Sequence, residues 1–143
     1  MESLNILGNV ASMVGLGITI WVLCRVRIIE KAFLKQALLP SRMRVLRGHI
    51  RNLERAIQTK NRQSALQELE RCRSLLKASS EYLGGDRQES SEHTAQAIER
   101  LCQFADEDKF WAGCGMVLAR LHGVHEGLKT LVQELEWRTK DAN

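Results

Sequence analysis

Residues 5–24 read NILGNVASMVGLGITIWVLC, twenty positions without one charged side chain. In a helix, twenty residues rise about 30 Å, the thickness of a bilayer's hydrocarbon layer. Trp21 lies toward one end, where an indole ring suits the water interface. The stretch predicts a transmembrane anchor over residues 1–24. A cleavable signal peptide is the competing reading. It requires a basic leader, a shorter apolar run and small residues at a cleavage site. Here the leader carries Glu2 and no base, and Arg25-Val26-Arg27 follows the run.

Working outward, the charge is unevenly spread. Glu2 is the only charge before residue 25. Residues 25–60 hold ten bases and two acids, and residues 61–143 hold eleven bases and fourteen acids. Basic flanks remain on the cytoplasmic side. The expectation is a single pass through the inner (plasma) membrane, with the N-terminus outside and the C-terminus cytoplasmic. A basic juxtamembrane helix would then occupy 25–40 and a helical domain 41–143. Arg25, Arg27, Lys31 and Lys35 would face anionic lipid headgroups, at about 1 kcal/mol per base. RNA is a second anionic partner for the block, although no aromatics are interleaved for base stacking.

Within the apolar stretch, small and polar residues share one face: Asn5, Gly8, Asn9, Ser12, Gly15 and Thr19. Gly8-x-x-x-Ser12 is a small-xxx-small pair, a spacing that lets helices approach closely. Polar groups at membrane depth favour a partner helix or a watery cavity. This predicts a homo-oligomer, with a pore as one form of it. The plainer reading is tolerated small residues in a lone anchor.

Beyond residue 25 the pattern is helical. Aromatics make up 5% of the chain, Pro40 is the single proline, and no segment alternates with period two. Pro40 should end or kink the first helix, and Ser41 should cap the next. Apolar stripes predict helices over about 41–59, 64–83 and 91–105, with a polar loop at 86–92. A final helix over 109–138 carries Val117, Leu121, Val124, Leu128, Leu131 and Leu135 at coiled-coil-like spacing, which suits a bundle or a dimer seam. Gly113, Gly115, Gly123 and Gly127 weaken that helix and would permit close packing. The fold class is therefore all-α, an anchor followed by an antiparallel helical bundle. Cys24, Cys72, Cys102 and Cys114 form no CxxC pair and read as reduced thiols.

No phosphate-cradling glycine loop, HExxH, GxSxG or CxxC occurs, and no cofactor or metal is expected. His122 and His125 form HxxH with no further ligand nearby in sequence. One constellation remains. Arg120 to His125 and Arg44 to His49 both fit Arg-x4-His. A histidine can move the proton of a ribose hydroxyl while an arginine holds the scissile phosphate.

This spacing resembles the motif of the HEPN superfamily, small helical domains that often dimerise. The departure is that Leu121 and Val45 follow the arginines, where that motif usually has a polar residue. The whole layout also looks like the small membrane accessory proteins of type VI-B CRISPR systems. The resemblance implies a HEPN-like fold and an oligomeric membrane effector, pore-forming in some readings. Such an effector acts with an RNA-guided, RNA-targeting nuclease in antiviral defence. It carries over to Arg120 and His125 alone, as the HEPN-like catalytic pair. The alternatives are a tethered HEPN-type ribonuclease and a passive scaffold or signalling adaptor.

Overall fold

A computed structural model describes the backbone of residues 2–141, and side chains for residues 13–30, 33–35, 37–138 and 140. Four helices follow in order: α1 Glu2–Gln58, α2 Arg62–Ser80, α3 Asp86–Cys102 and α4 Glu107–Asp141. The chain divides into two compact units, Met1–Lys35 and Gln36–Asn143.

In the first unit the anchor expectation is overturned. Among the described residues, no helix is long and apolar enough to cross a membrane. The single-pass inner-membrane placement falls with it. Among the described side chains, Arg25, Arg27 and Glu30 follow Cys24 closely. The apolar side chains are nonetheless open: Met13 is 79% exposed, Trp21 61% and Phe33 71%.

The second unit is a helical bundle made from the C-terminal part of α1 with α2, α3 and α4. Bonds between helices give an up-down-up-down order. Arg42 Nη1 donates to Ala78 O at 2.5 Å, and His49 pairs with Glu68, tying α1 to α2. Arg73 reaches Glu99 from α2 to α3, and Arg87 reaches Glu134 from α3 to α4. His122 of α4 returns to Glu54 of α1. The core gathers one apolar stripe from each helix: Leu46, Leu53, Leu69, Ile98, Phe110 and Leu121 are essentially inaccessible. The α4 stripe from Val117 to Val132 is buried inside this same chain, so the bundle uses the seam that the sequence offered.

Three local expectations change. First, α1 runs through Pro40. Proline removes the bond to the carbonyl four residues earlier, that of Gln36, and crowds it. The division between the two units falls at that residue. Packing holds the helix on: Leu39 is 1% exposed and Leu46 follows it into the core. Ser41 caps nothing, and its hydroxyl donates back to Leu38 O at 2.8 Å.

Second, α2 begins two residues before the expected start, with Asn61 as its cap, accepting from Ser64 N at 3.1 Å. Third, residues 86–92 are the first two turns of α3 and not a loop. Gly85 takes φ +56°, a backbone that side-chain-bearing residues rarely adopt, and so lets α3 start directly after it. Ser91 and Thr94 look polar but are buried, because Ser91 Oγ donates to Leu76 O at the α2–α3 contact.

Candidate functional site

The two Arg-x4-His pairs are each split by the bundle. On α4, residues five apart point about 140° away from each other. Arg120 is exposed on the α3 side, in a groove with Asp86, Glu89, Ser90, His93, Thr94 and Gly123. His125 lies on the α1 side, half-buried in a different groove. Nothing within one chain brings Arg120 and His125 together.

The earlier pair is also separated. His49 Nδ1 lies 2.7 Å from Glu68 Oε2, and the other oxygen of Glu68 accepts from Arg71 Nη1 at 2.7 Å. Glu68 is a buried carboxylate with both oxygens engaged. Burial of a charge is tolerated when it is paired and hydrogen-bonded in this way. His49 is thus part of an α1–α2 clasp, while Arg44 faces α4.

The α1–α4 groove is the richest meeting of ionisable groups. It encloses about 460 Å³ and is lined by Arg44, Arg47, Arg51 and Glu54 from α1, and by His122, His125, Glu126 and Lys129 from α4. His122 Nε2 lies 2.9 Å from Glu54 Oε1. His125 Nδ1 lies 3.7 Å from Glu126 Oε1, and Lys129 Nζ lies 3.5 Å from Glu126 Oε2. Burial pushes the His125 imidazole below its ordinary value. Glu126 opposes that shift, while Arg47 and His122 add to it. The charged form of His125 is therefore disfavoured in a groove that three arginines line. Sequence reading found the histidines but not the groove. The signal available was the spacing Arg44, Arg47, Arg51, which places three bases on one flank of a helix.

The remaining predicted residues lie in the first unit. Gly15 and Thr19 are exposed, and the Thr19 hydroxyl donates to Gly15 O at 2.8 Å, satisfied within its own helix. Arg25 and Arg27 are exposed and Lys35 is half-buried, with the Arg25 guanidinium 5.4 Å from the Trp21 ring centroid. Asn5, Gly8, Asn9, Ser12 and Lys31 lie outside the residues whose side chains are described.

Cysteine chemistry is suppressed where it is buried. Burial, with Glu68 adding, pushes the Cys72 thiol up to about 12. Burial also pushes Cys114 up to about 11. All four thiols are free. Among the described residues, no group of three or more His, Cys, Asp or Glu is placed to hold a metal ion.

The fold and site define an all-α bundle with an arginine- and histidine-lined groove. No protein-family model, curated protein or solved structure matches the chain.

Proposed function

We propose that this chain is a non-enzymatic helical effector that works as a homo-oligomer, with the apolar part of α1 in the first unit as its assembly surface. One observation carries the reading. At about 100° per residue, Met13, Val14, Leu16, Ile18, Ile20, Trp21, Val22 and Leu23 surround the helix except for the arc of Gly15 and Thr19. All eight are exposed. A helix apolar on nearly every side is stable only when covered on every side. Further copies of the chain supply identical helices for that purpose, and the Gly15 arc allows one of them to come close.

The family resemblance names an RNA-guided, RNA-targeting nuclease as the partner of such an assembly. Its support is now the all-α bundle and the late Arg-x4-His, without the anchor. Sedimentation or light scattering tests the assembly: the expected particle is a defined multiple of the 16.3 kDa chain. A single-chain mass at all concentrations, or recovery only with added lipid vesicles, overturns it.

A ribonuclease of HEPN type is the second reading, favoured by a half-buried His125, its charged form disfavoured by burial, in a groove that three arginines line. It requires a second copy to supply Arg120. RNA cleavage abolished by both His125→Ala and Arg120→Ala, in an intact assembly, supports it. No cleavage by the unaltered protein removes it.

A further inference from the structure

We infer that the α1–α4 groove of the bundle is a binding site for closely spaced phosphate groups. Such groups occur in a polyphosphate or in the backbone of a single-stranded nucleic acid. The inference stands apart from how the copies assemble, because every residue used lies in the second unit.

Five guanidiniums of the bundle are occupied. Arg42 and Arg62 donate to backbone carbonyls of neighbouring elements, while Arg71, Arg73 and Arg87 bind carboxylates. Arg44, Arg47 and Arg51 are exposed and, among the described residues, make no hydrogen bond or ion pair. Their spacing of three and four residues sets them on one flank of α1, spread over about 10 Å of helix axis. A solvated basic face would be convex. These three instead form one wall of a groove whose opposite wall carries His122, His125 and Lys129.

The two acids do not neutralise that wall. Glu54 is held by His122, and Glu126 faces His125 and Lys129, so both are turned to α4 groups rather than to the arginines. Three planar forks with free N–H groups then face open space. That geometry matches phosphate oxygens bidentately, whereas a point charge does not. The 10 Å spread exceeds what one phosphate occupies, so the ligand carries two or more. No Phe, Tyr or Trp side chain lines the groove, so it offers no large ring platform for base stacking. Recognition is of phosphate, without sequence preference.

The test titrates the full chain with two probes at low salt: inorganic tripolyphosphate, and a labelled single-stranded oligonucleotide of about 12 residues. Binding is read by anisotropy and by competition between the probes. The triple variant Arg44→Glu, Arg47→Glu, Arg51→Glu is expected to lose at least tenfold in affinity. The plot of log affinity against log salt should flatten by about two units for the oligonucleotide. Arg138→Glu, at an exposed site elsewhere on α4, should leave both unchanged.

Because the three arginines have no partner to lose, the triple variant should melt with the unaltered protein. If it does not, Lys129→Glu gives the same comparison from the other wall. Tripolyphosphate displacing the oligonucleotide identifies a compact polyphosphate site. Binding of the oligonucleotide alone, equal for RNA and DNA, identifies a backbone track. Failure of both probes to bind, or binding that the triple variant and Lys129→Glu both leave intact, overturns the inference.

Discussion

At the scale of single residues, Glu68 and His125 show how burial decides a role. Glu68 joins α1 to α2 through His49 and to its own helix through Arg71. Glu68→Ala leaves His49 half-buried without its acceptor. The expected loss is about 1–3 kcal/mol in denaturant unfolding. An unchanged midpoint would show the clasp to be idle. His125 titrates below its ordinary value because burial disfavours its charged form. The unfolded chain then binds a proton more readily than the folded one. The associated stability is present above about pH 6.5 and falls as pH drops from there toward the lowered value. In His125→Gln that decline should shrink, a difference measurable in melts between pH 5 and pH 7.5 on the neutral-to-acid scale where histidines titrate. The histidines and arginines were legible as types, and their pairing was not. A spacing of five residues on a helix separates side chains by more than a right angle, so Arg-x4-His cannot meet inside one chain.

At the scale of elements, the four glycines of α4 divide into two kinds. A Cβ at Gly113 would lie 2.5 Å from Leu101 Cδ1 of α3, whereas one at Gly115, Gly123 or Gly127 meets nothing within 4 Å. Leu101 is 2% exposed and belongs to the packed core, so its methyl must shift against neighbours. Gly113→Ala is therefore expected to destabilise, since overpacking costs about 1–3 kcal/mol and outweighs the helix gain. Gly123→Ala and Gly127→Ala should each stabilise by about 0.5–1 kcal/mol in thermal or denaturant melts. Equal effects at all four would contradict the packing described for α3 and α4. Apolar periodicity revealed these helices because each buries one stripe. It missed the first turn of α3, residues 86–90, where no residue is apolar and none is buried to mark an inner face. It also overrated Pro40, since propensity is local and the core contacts of Leu39 and Leu46 are not.

At the scale of the whole molecule, an uncharged run of side chains is an ambiguous signal. It reports apolarity around a helix and leaves open what covers it. Among the described residues no helix is long and apolar enough to cross a membrane, while the apolar side chains from Met13 to Leu23 are exposed. The way in which copies would cover it can be read from opposite faces. Ile20 and Val22 are two residues apart and so lie about 160° apart around the helix, both exposed. In a simple dimer only one of the two faces is shared. Ile20→Lys or Val22→Lys would then dissociate it, but not both. In an assembly of several helices each copy is covered on more than one side, and a buried lysine on either face is costly. Both variants are therefore expected to reduce the particle to the mass of one chain. The second unit, whose core contains neither residue, should keep its melting temperature. Full-size particles from both variants would remove the apolar part of α1 as the assembly surface.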